Sequence, residues 1–503
     1  MRVRTALGIL LGIICLLMVT APRVVAQTNA LGWMAYIQEG DIWTKELPEG
    51  DPKQLTHDGK ISTPRISPSG QWIAYWSKTK CDERLGCIYT PQETHLWVMG
   101  RSGENAREIP GCAPAWALTS DMLYCAANDG TLSIVRAPNF VPEVILTPMR
   151  NITQTYFSGV VWSPDSSALA YTRDDVIEPG APALVRSSLW RINSTTHVAN
   201  ELLNLGEPSQ DGLMAAGWTP DAKGILYWIV PYFSGSFQAD GLAFYFIPAQ
   251  GGTSKQLVEA MLTYRDFMSF APRANAMAVA AGSGRGSWTN KRIVVYDFDK
   301  ETESTLTEKN VAAISPAWSP TKTQIAYVAM PDEGDLVGGN DARLGLRKRR
   351  IWLMNLDGTN KRQLTHDDAS RDEYPQWAND GTQILFARIF QPDTQDDAAD
   401  HAELWLMRAD GTGLEKILDL NEVIANSLYG EKWFGYYGHI AWDDYFDWWQ
   451  PPKTNLPVTG DESPDVTLWI FSGLVCLAFG ASALIAAQIK NRKPEIELYR
   501  KIK

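Results

Sequence analysis

The sequence predicts an all-β chain folded as a β-propeller of four-stranded blades, from three observations on its 503 residues. First, an aromatic or aliphatic residue, a turn and a short apolar strand recur together, starting at Ile66, Trp116, Trp162, Trp218, Phe270, Trp318 and Trp377. Second, these starts are 50, 46, 56, 52, 48 and 59 residues apart, and such a period indicates a repeat architecture. Third, another series of short strands recurs once in each repeat, so each repeat supplies the four antiparallel strands of one blade.

Local features of the sequence predict the strands of each repeat in chain order. The first strand ends at the aromatic residue, and a turn such as Ser163-Pro164-Asp165 then reverses the chain. An apolar run such as Ile325-Ala326-Tyr327 follows, which is typical of a strand buried on both faces. The third strands begin at Asp41, His95, Thr131, Ser188, Ala243, Arg292, Arg350 and Glu403. Tight hairpin turns such as Asp357-Gly358-Thr359 lead to the fourth strands, which include the repeated QLTHD at Gln54–Asp58 and Gln363–Asp367.

The number of strands favours eight blades, with seven as the alternative. Eight third strands are present, but only seven repeats have an opening strand, because the first unit, from Gly32 to Thr56, lacks one. The stretch GHIAWDDYF, from Gly438 to Phe446, has the character of an opening strand, with Trp442 at the aromatic position. We therefore expect this C-terminal stretch to complete the N-terminal blade and to close the ring.

The repeated segments resemble the WD40-like PD40 repeats of the TolB family, which also occur in the propellers of prolyl oligopeptidase relatives. The resemblance covers most of residues 32–446 and implies a propeller fold. TolB has an α/β domain ahead of a six-bladed ring, and no such domain precedes the repeats here. The resemblance therefore does not carry over the role of TolB in the cell envelope.

The two ends of the chain predict export and a membrane span. Residues 1–26 have a basic start, an apolar run and small residues at the cleavage position, which is typical of a secretory signal peptide, with a retained N-terminal helix as the alternative. Residues 466–489 form an uncharged apolar segment long enough for a transmembrane helix. Residues 490–503 are basic and are expected in the cytoplasm. The extracytoplasmic part is then a propeller over 27–449 and a linker over 450–465.

The linker contains the sequence LPVTG just before the predicted span. It resembles the L-P-x-T-G signal of sortase substrates, which also precedes an apolar segment and a basic tail. The resemblance implies recognition of Leu456, Pro457, Thr459 and Gly460, cleavage after Thr459 and attachment of Thr459 to a cell-wall amine. Sortase and cell-wall peptidoglycan are then the expected partners. Because residues 494–503 extend beyond the basic cluster, a single-pass membrane protein held by residues 466–489 stays open as the alternative.

Charge and cysteine content are consistent with an exported domain. Residues 27–459 contain 37 basic and 53 acidic residues, a net charge of about −16, which argues against binding to nucleic acid. Outside the two apolar segments, four cysteines indicate disulfides, and four cysteines allow three pairings. We favour Cys81–Cys87 and Cys112–Cys125 over metal binding, because no C-x-x-C pair is present. No cofactor is expected.

Motifs that carry chemistry are absent from the sequence. There is no G-x-S-x-G nucleophile elbow, the turns do not have the form of sialidase Asp boxes, and the six histidines lack metal-ligand spacing. His57 and His366 occupy equivalent repeat positions, which favours a structural turn role. The acidic stretches 297–303 and 393–400 lack the pattern of a calcium loop. The basic run over 343–350 is interpreted as a loop that enters a strand.

A dense group of aromatic residues is the best local candidate for recognition. Ten aromatic residues lie between Tyr429 and Trp449. Exposed aromatic side chains bind sugars or proteins, whereas buried ones would pack between blades. The candidates for recognition are Tyr429, Trp433, Tyr436, Tyr437, Trp448 and Trp449.

Together these features predict a cell-surface propeller that binds or scaffolds an extracellular protein or glycan. The alternatives are an enzyme, either a lyase or a glycan hydrolase, at the mouth of the channel, and a purely structural spacer. A cluster of titratable groups in the channel would favour the enzyme.

Overall fold

The computed structural model describes residues 31–78, 94–127, 130–147, 155–178, 184–231, 240–321, 323–334, 345–390, 401–420 and 437–452. These residues include 32 strands and two short 3-10 helices, Arg265–Phe267 and Trp442–Asp444. The prediction of an all-β chain built from four-stranded antiparallel sheets is confirmed. The strands form eight four-stranded units, here called blades 1 to 8.

Blades 1 to 4 follow the chain from its first described strand. Blade 1 contains β1 (Trp33–Gln38), β2 (Asp41–Glu46), β3 (Lys53–Gln54) and, from the C-terminal end, β32 (Phe446–Trp449). Blade 2 contains β4 (Ile61–Ile66), β5 (Trp72–Lys78), β6 (Thr94–Gly100) and β7 (Arg107–Glu108). Blade 3 contains β8 (Cys112–Trp116), β9 (Met122–Ala126), β10 (Leu132–Arg136) and β11 (Glu143–Leu146). Blade 4 contains β12 (Thr155–Trp162), β13 (Ala168–Glu178), β14 (Leu184–Asn193) and β15 (Ala199–Asn204).

Blades 5 to 8 complete the set. Blade 5 contains β16 (Asp211–Trp218), β17 (Gly224–Pro231), β18 (Leu242–Pro248) and β19 (Lys255–Met261). Blade 6 contains β20 (Met268–Phe270), β21 (Ala276–Ala281), β22 (Arg292–Asp297) and β23 (Thr302–Thr305), and it joins blade 5 through the pair Met261 and Ala281. Blade 7 contains β24 (Val311–Trp318), β25 (Gln324–Pro331), β26 (Arg350–Asn355) and β27 (Arg362–Gln363). Blade 8 contains β28 (Ser370–Trp377), β29 (Gln383–Phe390), β30 (His401–Arg408) and β31 (Glu415–Asp419).

The aromatic residue that ends the first strand of a blade joins neighbouring blades. The indole N–H of Trp116 donates to the Arg65 carbonyl (2.9 Å), that of Trp162 to Ala115 (3.2 Å) and that of Trp218 to Val161 (3.2 Å). Trp377 makes the same bond to Ala317 (3.0 Å). In each case the acceptor is the residue before the equivalent position of the preceding blade. This repeated bond explains why the sequence repeats the aromatic residue.

A C-terminal strand completes blade 1. The prediction that residues 438–446 form this strand is wrong except for Phe446. Residues 438–445 lie outside the sheets, and β32 begins at Phe446 and pairs with β1. Trp449, which ends β32 and pairs with Trp33, occupies the position predicted for Trp442. Trp442 instead lies in a 3-10 helix, because its indole N–H binds a buried carboxylate. Gln450 ties this end of the chain to blade 8, since its side chain donates to the Trp377 carbonyl (3.0 Å).

The two faces of the propeller have different connections. Turns between first and second strands, such as 163–167 and 219–223, all have five residues in blades 2 to 8. Connections between third and fourth strands have four to six residues and lie on the same side, here called the turn face. On the opposite side, the loop face, the connections between second and third strands vary from two residues at 39–40 to 18 at 332–349. Carboxylates order the turns: Asp165, for example, accepts from the Ser163 hydroxyl (2.6 Å) and from the Ser167 backbone (3.0 Å).

Candidate ligand cavity in the channel

The residues just before β32 contact the inner strands of several blades. We call residues 437–445 the channel segment. The Ser287 hydroxyl donates to the Tyr437 carbonyl (2.9 Å), and the Ile37 N–H of blade 1 donates to the Tyr445 carbonyl (2.8 Å). Ser287 precedes β22 on the loop face, and β32 ends on the turn face. The channel segment therefore enters from the loop face and runs along the inner strands toward the turn face.

A buried ionic cluster holds the channel segment against blades 7 and 8. Arg349 donates to the Gly438 carbonyl (2.7 Å) and to Glu373, while the Trp442 indole donates to the other oxygen of Glu373 (3.1 Å). Arg371 lies 3.3 Å from the same carboxylate. Burial alone would raise the pKa of Glu373, but the Arg371 and Arg349 charges lower it. Burial, together with the Arg349 charge, lowers the pKa of Arg371 to about 10. The pKa of each of these two side chains therefore depends on the charges of the others in the cluster.

A second polar cluster joins the channel segment to blade 2. Arg65 donates to the Asp443 carboxylate (2.8 Å), and the Thr63 hydroxyl donates to Asp444 (3.2 Å). Asp447 of β32 accepts from the Ile66 N–H (2.6 Å). The surrounding protein desolvates the Asp444 carboxylate, and the Asp443 charge repels it. Both effects raise the pKa of Asp444, although 45% of its side chain is accessible. Desolvation also raises the pKa of Asp447.

A histidine of the channel segment is paired with a carboxylate of the connection between blades 5 and 6. The imidazole Nε2 of His439 lies 2.7 Å from one oxygen of Asp266, and the other oxygen accepts from the Ser315 hydroxyl (2.6 Å). The His439 ring also stacks on Tyr264, with centroids 3.6 Å apart and planes 7° apart. These contacts fix the orientation of the imidazole.

Bulges in the inner strands present side chains to these clusters. The residue three positions before the end of the first strand has a positive φ in four blades: 55° at Thr63, 55° at Gly159, 48° at Ser315 and 56° at Tyr374. The pairing register shifts at each of these places, which is the mark of a β-bulge. A Cβ at Gly159 would lie 2.4 Å from the Ala215 carbonyl oxygen, so only glycine allows blades 4 and 5 to approach here.

Two adjoining cavities lie beside the channel segment. The inner cavity has a volume of about 430 Å³ and is lined by blades 3 to 6 and by the channel segment residues His439, Ala441, Asp443 and Asp444. The outer cavity has a volume of about 620 Å³ and is lined on the turn face by Leu118, Pro164, Pro220, Phe270 and Pro272, among others. Leu118 is 61% exposed, so this end is open to solvent. Val160, Ala216, Arg265 and Met268 line both cavities, which therefore adjoin.

Several polar groups of the inner cavity have no partner among the described residues. On blade 5 and on the connection from blade 5 to blade 6 these groups are hydrogen-bond donors, the indole N–H of the buried Trp228 and the Thr263 hydroxyl. The exposed Arg265 guanidinium lines the same cavity. On the channel segment they are acceptors, because Asp443 and Asp444 each use one carboxylate oxygen in the bonds above and leave the other unbonded. Polar groups left unbonded in a cavity are suited to binding a ligand or water.

The predicted recognition aromatics do not form one surface. Tyr429, Trp433 and Tyr436 lie outside the described residues. Tyr437 lies on the loop face, where Arg285 donates to its hydroxyl (3.0 Å). Trp448 is buried and Trp449 is half-buried. The indole N–H of Trp448 donates to the Leu31 carbonyl (2.6 Å), and that of Trp449 donates to the Pro68 carbonyl (2.9 Å).

The other predicted residues have separate positions. Cys112 and Cys125 are joined by a disulfide between β8 and β9, while Cys81–Cys87 lies outside the described residues. The LPVTG residues Leu456, Pro457, Thr459 and Gly460 lie outside them as well. His366 lies 3.2 Å from the Gln363 side chain in its turn. In the basic run, Arg349 and Arg350 are buried in ionic and backbone contacts.

The residues that line the inner cavity were not predicted. Arg265 and Asp266 belong to a connection between blades, and Asp443 and Asp444 belong to a stretch interpreted as a strand. One signal was available: the run RDEYPQW, Arg371 to Trp377, places three consecutive charges in an inner strand, more than the first strand of any other blade carries. Such a run indicates a polar partner inside the channel.

Two kinds of site are absent from the described part of the chain. No helix there is long and apolar enough to cross a membrane. No group of three or more histidine, cysteine or acidic side chains there is arranged to hold a metal ion.

Comparison with known proteins identifies the fold class. The dipeptidyl peptidase 4 of Porphyromonas gingivalis is similar over 79% of this chain and 59% of its own, with a TM-score of 0.53 and 11% identity. This chain therefore spans about three-fifths of the length of that peptidase. A putative TolB from Agrobacterium tumefaciens is similar over 59% of this chain and 91% of its own, with 19% identity and a TM-score of 0.31. An oligogalacturonate lyase in complex with manganese is similar over 77% of this chain and 83% of its own, with 11% identity and a TM-score of 0.39.

No protein-family model and no curated protein matches the sequence. Together with the sheet order, the likeness to the peptidase places the chain in the class of β-propellers.

Proposed function

We propose that this protein is a ligand-binding β-propeller held at the outer surface of a cell, with its binding site in the channel. The observation that carries the proposal is the pair of adjoining cavities, open on the turn face and bounded by the channel segment. The inner cavity combines unbonded donors from blade 5 and the connection after it with unbonded acceptors from the channel segment. A concave site with an apolar entrance and a few convergent polar groups is the usual form of a ligand site.

Filling the channel should abolish binding. Ala216 is half-buried and lines both cavities, so a tryptophan there would occupy the space of a ligand. The probe is a set of soluble fragments released by peptidoglycan hydrolase from the native cell wall, added to the full chain in detergent. We expect native mass spectrometry to find a bound molecule on the wild type and to find none on A216W.

The matched control is A274W, which places the same side chain on an exposed turn residue. L118R, at the exposed rim, tests the entrance without changing the core. Retention of the molecule by both A216W and L118R, or no bound molecule on the wild type, would refute a binding site in the channel.

The surface location is supported by the signal peptide, the LPVTG sequence and the apolar segment 466–489. We infer that sortase joins Thr459 to the cell wall. The test is the intact mass of the protein from native cells before and after peptidoglycan digestion. Release only by digestion, with a chain that ends at Thr459, is the expected result. Extraction by detergent with the chain intact to Lys503 would instead establish a single-pass membrane protein.

The pair of His439 and Asp266 supports a second candidate, an enzyme at the same cavity. A carboxylate that orients an imidazole is the arrangement of a general base. Recovery of the bound fragment decides between the two functions. An unchanged mass supports binding, whereas an altered mass that H439N prevents, without loss of binding, supports an enzyme.

A further inference from the structure

The polar groups of the inner cavity indicate the chemistry of a ligand. Trp228 is buried and its indole N–H has no partner among the described residues. The Thr263 hydroxyl is likewise unbonded, and the exposed Arg265 guanidinium lies beside these two groups in the cavity lining. All three line the inner cavity, and all three can donate hydrogen bonds. A ligand of this cavity must therefore present acceptor oxygens to blade 5 and to the connection after it.

The channel segment places the opposite requirement on the same ligand. Asp443 and Asp444 line the cavity, and each has one carboxylate oxygen without a described hydrogen bond. Ionised carboxylates only accept hydrogen bonds, so the ligand must also donate. No ion pair joins Arg265 to Asp444, although the positive charge of Arg265 opposes the rise in the Asp444 pKa. The Arg265 charge therefore acts on Asp444 without a direct ion pair between the two groups.

Charge excludes two simple classes of ligand. A compact anion would gain from Arg265 but would meet Asp443, Asp444 and Asp266 in the same cavity. A compact cation would gain from these carboxylates but would meet Arg265, which lines both the inner and the outer cavity. A neutral ligand with several groups that both donate and accept satisfies both sets of side chains.

We propose that the inner cavity binds a neutral saccharide, with hydroxyl groups bonded to Arg265, Thr263 and Trp228 on one side and to Asp443 and Asp444 on the other. The proposal rests on the proposed function of the channel as a binding site. Each sugar hydroxyl donates one hydrogen bond and accepts others, and neighbouring ring carbons carry one each. A peptide chain offers only one N–H and one C=O per residue, and successive residues of an extended chain are about 3.4 Å apart. Three donors and two acceptors around about 430 Å³ fit the denser pattern of a sugar.

The outer cavity fits the rest of such a ligand. Pro164, Pro220 and Phe270 line it and present apolar surface to the C–H groups of a second sugar unit. The polar groups at the inner end would then fix the terminal unit, and the apolar entrance would hold the adjoining one. The site is thus expected to prefer the end of an oligosaccharide over its interior.

An array of oligosaccharides tests the ligand class. The full chain, purified in detergent, is applied to neutral trisaccharides such as chitotriose, cellotriose and maltotriose, to uronate trisaccharides and to amino-sugar trisaccharides. Binding to neutral members is the expected result. R265M and D444N should each weaken that binding about tenfold or more in calorimetry, because each removes a hydrogen bond to a charged group. T263V should weaken it several-fold.

The control R186M removes an exposed arginine of blade 4 and should leave the affinity unchanged. Binding only to uronates, or only to amino sugars, would overturn the neutral class. Binding of cell-wall peptides without any sugar would overturn the saccharide proposal but would leave the channel as a binding site. If neither sugars nor wall fragments bind, the proposed function fails as well.

Discussion

E373Q is expected to destabilise the folded protein by about 3–5 kcal/mol, the usual cost of removing one partner from a buried ion pair. Glu373 is 4% exposed and accepts from Arg349, lies 3.3 Å from Arg371 and accepts from the Trp442 indole (3.1 Å). Glutamine keeps the shape of the side chain and the bond to Trp442. It removes the only negative charge of the cluster of Arg349, Arg371 and Glu373. Two buried guanidinium groups would then repel each other. The measurement is the free energy of unfolding from urea titration at neutral pH.

The double variant R371M/E373Q provides the sharper comparison. It removes one buried positive charge together with the negative one, so it should be less destabilised than E373Q alone. E308Q is the matched control, since Glu308 is an exposed carboxylate paired with Lys361, and its change should stay within about 0.5 kcal/mol. A loss below about 1 kcal/mol for E373Q, or no recovery in the double variant, would contradict an essential buried cluster.

The repeat made the fold predictable from the sequence. The aromatic residue, the five-residue turn and the buried second strand recur because each has a local physical cause. The indole bonds the preceding blade, as Trp162 bonds Ala115, and a carboxylate such as Asp165 orders the turn. Local patterns of this kind are visible in one sequence without knowledge of distant contacts.

The position of the closing strand was not predictable in the same way. Trp442 and Trp449 both follow apolar residues, so the pattern alone does not choose between them. The choice depends on partners far away in the sequence. Trp442 lies outside the sheet, and its indole donates to Glu373. Trp449 pairs with Trp33, and its indole donates to the Pro68 carbonyl. Nothing local to residues 438–449 encodes those distant contacts.

The candidate site was hidden for a related reason. Its members come from β17, from the connection before β20 and from the channel segment, so that Trp228, Arg265 and Asp444 are close only in the folded chain. None of them belongs to a motif with fixed spacing. The aromatic group near the C-terminus was visible, but composition does not distinguish a buried indole such as Trp448 from an exposed one.

W448A is expected to destabilise the fold by about 3–5 kcal/mol, the range for removing a large buried aromatic side chain. Trp448 is 8% exposed and belongs to the apolar cluster that joins blade 8 to blade 1, which includes Met34, Ala387 and Leu404. Alanine would leave a cavity there and would also leave the Leu31 carbonyl without its donor. Because β32 supplies the first strand of blade 1, the loss should weaken the closure of the ring.

Hydrogen exchange locates this effect. In W448A the amides of β1 should exchange faster, while those of β16 to β18, in blade 5, should keep their wild-type rates, since β32 pairs only with β1.

W448F keeps a ring in the cluster and loses only the N–H donor, so it should cost about 1–2 kcal/mol. L414A, at a residue 44% exposed, should change stability by no more than about 0.5 kcal/mol. Equal acceleration in all blades would mean that the ring unfolds as one unit, and a W448A loss no larger than that of L414A would place the stability of the closure elsewhere.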